Sequence, residues 1–495
     1  MSKREAGHRP ERNMTAPSAA LLTARHAAAQ AGQTEPGPFD GPFDGPEDCL
    51  RHAARAAAAF GPWRDLPPER RAAHLRALAD CLEDDADALV ACMVAEIGTP
   101  VAWARFNVDF AARTLRETAA LAPLLADEPL PAGPGRAGRV SRLGCGVVLA
   151  IAPWNAPVIL GVRAVAAPLL CGNAVLLKGS ELAPRSFRMI GALMARAGLP
   201  ADLARVFVTR PEDSEPIVAR LIADPVVRRV NFTGSTRVGR RIAELCAPHL
   251  KRPLLELGGQ ATAIVLPGAD PDRAAEALAR GAWTNQGQVC MSTERVICVG
   301  ATAEALLPRL EAARARLRMG DPADETTDIG PVVTEAAAAR LAALIADAQA
   351  RGARLVGGGT VAGRMVAPTL LDGVARGMRL HDEEAFGPVL SVIRAGSEAE
   401  ALTIANDGAY GLAAAVFARD PDRAEAFARD LECGICHIDA PTLGDDPAAP
   451  FGGLKDSGFG RFGGRWALDE FTETRWTTRP VAPRAHHHPE GGDPR

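Results

Sequence analysis

The hydrophobic pattern changes texture twice along the chain. From 46 to 122 apolar positions recur at helical spacing, in alanine-rich amphipathic stretches such as 68–95 and 105–122, which predict helices. Residues 123–145 interrupt that period with Pro, Gly and Arg and predict a loop with hairpin strands. From 146 onward short apolar runs alternate with amphipathic segments. Strands are predicted at 146–152, 173–178, 205–209, 227–233 and 254–257, with helices near 157–170, 183–197, 213–223 and 236–246. A second block, from about 261 to 440, repeats the texture with strands at 261–266, 295–299, 355–357, 389–393, 413–417 and 434–438. Strands separated by helices imply βαβ units and parallel sheets, so the predicted class is α/β, with two lobes joined near 257. Ligands in such sheets sit beyond the carboxyl ends of the strands. Residues 1–45, ending in a tandem Gly-Pro-Phe-Asp repeat, and the Pro/His/Gly-rich tail 481–495 predict disorder.

Composition narrows the function classes. Across 495 residues the chain is 47% hydrophobic and 23% charged, with 56 Lys+Arg against 60 Asp+Glu and a formal charge of -4. That balance offers no electrostatic footprint for nucleic acid or an anionic membrane surface. The most apolar stretch, 147–162, is interrupted by Pro153, Trp154, Asn155 and Pro157, so no membrane span is predicted. No signal-peptide pattern opens the chain, and ten scattered cysteines read as reduced thiols of a cytoplasmic protein. Cys433 and Cys436 form a lone C-x-x-C without a second pair, and His486, His487 and His488 lie in the tail, so no metal site is expected. Only four of the 56 basic residues are lysines: Lys3, Lys178, Lys251 and Lys455. Against so strong an arginine bias, Lys178 at a predicted strand end stands out.

Several polar residues interrupt apolar segments where chemistry can be placed. Cys290 follows the polar turn Asn-Gln-Gly-Gln-Val (285–289), where backbone N–H groups can stabilise a thiolate; an inert buried thiol is the blander reading, as for Cys298. Glu256 closes the apolar run Leu-Leu-Glu-Leu-Gly-Gly, and desolvation there raises a carboxylate's pKa toward that of a general base. The alternative is an ion pair with Lys251 or Arg252. Asn155, in Pro-Trp-Asn-Ala-Pro, ends a buried strand as either an oxyanion donor or a turn former. Phe-Thr-Gly-Ser (232–235) precedes a helix whose N-terminus attracts phosphate, or is merely capped. Lys178 and Glu181 are placed to hydrogen-bond a ribose, or to form a solvated ion pair.

Taken in order, Pro-Trp-Asn (153–155), Leu-Lys-Gly-Ser-Glu (177–181), Phe-Thr-Gly-Ser (232–235), Glu-Leu-Gly-Gly (256–259), Gly-Gln-Val-Cys (287–290), Glu-Glu-Ala-Phe-Gly-Pro (383–388) and Pro-Phe-Gly-Gly-Leu-Lys-Asp-Ser-Gly (450–458) resemble the motif set of the NAD(P)-dependent aldehyde dehydrogenase superfamily. The resemblance spans roughly 48–480. It implies a Rossmann-like cofactor domain (46–122 with 146–257), an α/β catalytic domain (258–455) and a small β oligomerisation arm (123–145 with 465–480), in a homodimer or homotetramer. It implies that Cys290 attacks an aldehyde and that Asn155 and the Cys290 N–H hold the resulting oxyanion. Hydride then leaves for the cofactor, and Glu256 activates water to hydrolyse the thioester. It also assigns Trp154, Lys178, Glu181, Gly234, Ser235, Gly239, Leu257, Glu384 and Phe386 to cofactor binding, with NAD preferred over NADP because Glu181 disfavours a 2′-phosphate.

The stretches 155–164, 290–295 and 436–442 look most like the salicylaldehyde, vanillin and benzaldehyde dehydrogenase branch, which implies an aromatic substrate facing Arg163, with Trp103 and Phe459 as aromatic walls. Arg163 reads equally as a helix-surface ion pair, and the two rings as core. Three positions depart from the family pattern: Gly179 for Pro or Ala, Gln260 for Lys, and Asp439 for Asn, the last adding negative charge near the substrate side. Alternatives are an aliphatic aldehyde or semialdehyde dehydrogenase, CoA-acylating in one version, and a non-catalytic family member. Retained Glu256 favours water over CoA, and intact Cys290, Glu256 and Asn155 argue against the non-catalytic reading.

Overall fold

The structure, a computed structural model, describes residues 41–481. The expectations for 1–40 and 482–495, including the three tail histidines, lie outside the described residues. Four helices lead: α1 (Pro46–Arg64), α2 (Pro68–Asp84), α3 (Ala86–Ile97) and α4 (Val101–Ala120). The single helix predicted over 68–95 is two, broken at Asp85 (φ -103°, ψ 19°). Arg196 Nη1 donates to both Asp85 oxygens at 2.9 Å, which pins the break. Strands β1 (Glu128–Pro131) and β2 (Arg136–Gly144) form the predicted hairpin.

The first α/β unit then runs β3 (Val147–Ile151), α5 (Pro157–Leu170), β4 (Ala174–Gly179), α6 (Pro184–Arg196), β5 (Ala204–Val208), α7 (Pro211–Ala223), β6 (Val227–Thr233), α8 (Thr236–Cys246) and β7 (Arg252–Glu256). Every residue of β3 and β4 is buried, as strands covered on both faces require. The second unit holds β8 (Ala261–Val265), α9 (Pro271–Trp283), β9 (Thr293–Val299), β10 (Arg354–Gly357), β11 (Thr369–Asp372), β12 (Val389–Ala395), β13 (Ala413–Phe417) and β14 (Ile435–Ile438). The sequence reading lacked β11, a four-residue strand too short to show a period. Two late strands return to earlier sheets: β15 (Gly458–Phe459) pairs antiparallel with β7, and β16 (Thr472–Pro480) pairs with β2 along its whole length.

The sheet orders are β15-β7-β6-β3-β4-β5, β10-β11-β12-β9-β8-β13-β14 and, for the arm, β1-β2-β16. In the first sheet the chain steps outward through β4 and β5, then crosses back to the other side of β3. The carboxyl ends of β3 and β6 therefore flank a switch point, where a parallel sheet leaves a crevice. Only residues 257–260 separate β7 from β8. This short link sets the carboxyl edge of the first sheet against the amino edge of the second. Among the described residues no helix is long and apolar enough to cross a membrane.

Candidate active site

The two facing sheet edges supply the candidate residues in turn. Trp154 and Asn155 follow β3, Gly234 and Ser235 follow β6, and Glu256 is the last residue of β7. From the opposite edge come Cys290, just before β9, and Glu384 with Phe386, just before β12.

Cys290 is delivered by an unusual turn. Asn285 (φ 51°) and Gln286 (φ 54°) are both left-handed, a conformation that non-glycine residues hold only when their surroundings enforce it. Buried amides enforce it here. Thr99 Oγ1 donates to Asn285 Oδ1 at 2.7 Å, and Gln286 Nε2 donates to the carbonyls of Gly98 and Pro331 at 3.1 and 3.0 Å. Gly287 (φ 67°) lies so close to the 383–387 segment that a Cβ there would meet the Gly387 carbonyl oxygen at 2.2 Å. Asn155 is buried on the other side of the turn. Its Nδ2 donates to the Gln288 carbonyl at 3.0 Å, and its own carbonyl accepts from Asn285 Nδ2 at 3.3 Å and Trp103 Nε1 at 3.4 Å. Trp103 therefore touches the site through Asn155.

Glu256 is 1% exposed, and neither oxygen has a fully formed hydrogen bond. Burial pushes its pKa up to about 8, against the pull of Arg163 and the Cys290 thiol, while Asp445 and Glu384 add to the rise. The ion pair considered from sequence is absent: Lys251 Nζ bonds the carbonyls of Ile222 and Asp224, and Arg252 faces Glu470 at 3.7 Å. Desolvation, with Glu256 next, holds the Cys290 thiol well above its ordinary range, so the resting sulfur keeps its proton. Cys298 is fully buried on β9, a packing thiol.

Arg163 is buried on α5, not on a helix surface. It pairs with Asp445 and lies 4.2 Å over the Phe451 ring. Phe459, expected as an aromatic wall, is instead 51% exposed on β15 opposite Leu255; the rings beside Arg163 are Phe451, at 4.2 Å, and Phe110, at 5.9 Å. Phe459 lies on the two-residue edge strand of its sheet, where its ring meets solvent. Asp439, the third departure from the family pattern, is engaged by neighbours of its own. Its carboxylate accepts the Ala418 N–H at 3.2 Å and faces Arg273 at 3.6 Å, so the acid beside Arg163 is Asp445, which the sequence reading missed. Its only sequence signal is the Asp-Asp pair six residues ahead of the Phe-Gly-Gly motif.

Along the first sheet, Lys178 is buried, 3.9 Å from Glu181 and 3.4 Å from the Gly179 carbonyl, which leaves donor capacity unused. Ser235 N-caps α8 with no side-chain bond to the helix, so its hydroxyl and the first amides are free. Gly234 donates to the Glu256 carbonyl at 3.0 Å, and Gly239 packs directly on Leu257. Glu384 is half-buried, accepting the Gly259 N–H at 2.9 Å, and Phe386 stands edge-on to Trp154 at 5.9 Å. Gln260 fills its unusual position by donating to the carbonyls of Leu380 and Glu383, both at 3.1 Å. His437 meets the Gly444 carbonyl at 3.2 Å, a structural role. Among the described residues no group of three or more His, Cys, Asp or Glu is placed to hold a metal ion.

A half-buried thiol and a buried, base-like carboxylate face each other at the carboxyl edge of a parallel sheet, and the family model for aldehyde dehydrogenases matches residues 41–477. The chain belongs to the aldehyde dehydrogenase family. As an oxidoreductase of that family, it is similar to a vanillin dehydrogenase of Pseudomonas sp. (strain HR199 / DSM 7063), 49% identical over 88% of this chain and 90% of that one. It is also similar to a salicylaldehyde dehydrogenase of Pseudomonas sp. (strain C18), 42% identical over 87% and 89%. The crystal structure of a salicylaldehyde dehydrogenase from Pseudomonas putida G7, complexed with salicylaldehyde, matches this aldehyde dehydrogenase with a TM-score of 0.87 and 40% identity, over 90% of this chain and 93% of that one. The resemblance to the aromatic branch holds.

Proposed function

We propose that the protein oxidises an aromatic aldehyde to its carboxylic acid with NAD. The observation that carries this reading is the contact of Arg163 with Phe451, Asp445 and, through the field it exerts, Glu256. A guanidinium beside an aromatic wall suits a phenyl ring or its hydroxyl. The vanillin and salicylaldehyde dehydrogenases among its relatives support the same class.

Cys290 attacks the carbonyl carbon, and its proton has Glu256 beside it as acceptor. The second N–H of the Asn155 amide and the Cys290 backbone N–H face the alkoxide of the thiohemiacetal, where charge develops. After oxidation to the thioester, Glu256 takes a proton from water to release the acid. For the cofactor, Ser235, Gly234 and the free amides opening α8 suit a pyrophosphate. Lys178 and Glu181 suit the adenosine ribose, and Glu384 with Phe386 the nicotinamide ribose. A nicotinamide dinucleotide bound there supplies the hydride acceptor. The lobe built on 46–122 and 146–257 is the cofactor domain and 258–455 the catalytic domain. The three-stranded arm, with Leu130 and Trp476 exposed, joins a homo-oligomer.

The test is a panel of benzaldehyde-type, aliphatic and semialdehyde substrates with NAD and NADP. Benzaldehyde-type substrates with NAD are expected to give the highest kcat/KM. Equal rates on all three classes refute the aromatic assignment, and CoA-dependent turnover refutes hydrolysis.

A further inference from the structure

One buried carboxylate in the site has no part in these steps. Glu294, the second residue of β9 and four residues beyond Cys290, is 4% exposed. Its two oxygens each accept a consecutive backbone N–H, from Ala385 and from Phe386, both at 2.7 Å. Arg340 grips the same segment by its carbonyls, donating from Nη1 to Ala385 at 2.9 Å and from Nη2 to Glu384. Gln260 takes the Glu383 carbonyl. The segment needs such restraint, because Phe386 is left-handed (φ 47°) and makes the edge-on contact with Trp154.

Only a carboxylate can meet two adjacent amides with two acceptors; a glutamine would turn one N–H toward another N–H. The arrangement is costly, since burial and the nearby Glu384 push Glu294 up to about 8. An apolar residue would fill the same space on β9 without that cost. A carboxylate here therefore points to the 384–386 segment as what it serves.

We infer that Glu294 is a positioning residue for the cofactor, holding the Glu384 carboxylate and the Phe386 ring where they meet the nicotinamide-ribose half of a dinucleotide. Because Cys290 lies just ahead of β9 and Glu294 is that strand's second residue, this bond also sets the nucleophile's register against that half of the cofactor. The inference rests on the cofactor reading proposed above.

Calorimetric titration of Glu294→Gln and Glu294→Asp with NAD and with AMP separates positioning from general loosening. AMP reaches only the adenosine end, served by Lys178 and Glu181. In Glu294→Gln, AMP is expected to bind within about two-fold of wild type while NAD binds ~10-fold more weakly, the loss of one charge-assisted hydrogen bond. KM for NAD should rise more than kcat falls. Glu294→Asp keeps both acceptors and should recover part of the NAD affinity. Equal weakening of AMP and NAD, or no weakening of NAD, overturns the inference. Wild-type protein that binds AMP but gains nothing from the rest of NAD overturns the cofactor reading together with it.

Discussion

Arg163 and Asp445, 282 residues apart, form a largely buried ion pair whose guanidinium lies over Phe451 and whose two charges act on Glu256 in opposite directions. Arg163 lowers the Glu256 pKa and Asp445 raises it. Arg163→Leu should therefore move the ascending limb of the kcat–pH profile to higher pH, and Asp445→Asn should move it to lower pH. Each single change should also cost on the order of 3 kcal/mol, because it strands a buried charge, whereas Arg163→Leu/Asp445→Leu should cost less than the sum. Limbs that shift the same way in both variants would contradict the arrangement.

Glu256→Gln removes the base and leaves the nucleophile. Because Glu256 is both the acceptor of the Cys290 proton and the base of thioester hydrolysis, the expected outcome is a slower first-turnover burst of reduced cofactor, with steady-state turnover lowered ~10²–10⁴-fold. Stopped-flow absorbance distinguishes this from loss of both phases.

The same carboxylate ties stability to pH. Its folded pKa of about 8 lies above the ordinary value of 4.5 that it has in the unfolded chain, so the folded state holds the extra proton between these limits. This contribution is full below about 4.5 and is lost as pH rises through about 8. Relative to wild type, Glu256→Gln should gain in Tm as pH is raised from 5 to 8 and gain little more above that. A Tm difference independent of pH over this window would exclude the buried, protonated carboxylate.

Gly179 is explained by Phe187: a Cβ at 179 would lie 2.3 Å from the ring's Cγ. The residue thus packs the end of β4 tightly and does not loosen it. Gly179→Ala should lower stability by ~1–3 kcal/mol through overpacking, read as a lower Tm, and Gly179→Ala/Phe187→Leu should restore part of it. An unchanged Tm in the single variant would refute the tight contact.

The chain's apolar periods and turn residues were enough to determine the α/β class, nearly every strand of both sheets and the hairpin of the arm, whose third strand, Thr472–Pro480, only the family resemblance supplied. Those features are local, encoded within a dozen residues each. Glu256 and Asn155 were legible as candidates for a related reason, each being a polar residue that interrupts an apolar run at a strand's end, and Cys290 because it directly follows a polar, glycine-containing turn. Only the tertiary structure decided which charges share a neighbourhood. Asp445 and Phe451 lie almost 300 residues from Arg163, and Glu294 acts through the backbone of residues 90 positions away, so no window of sequence contains either relationship. Side-chain direction on short strands was equally out of reach. Phe459 sits on a two-residue edge strand, too short for any period to show that its ring faces solvent. The long-range pairings come from the link at 257–260, which brings the carboxyl edge of one sheet against the amino edge of the other.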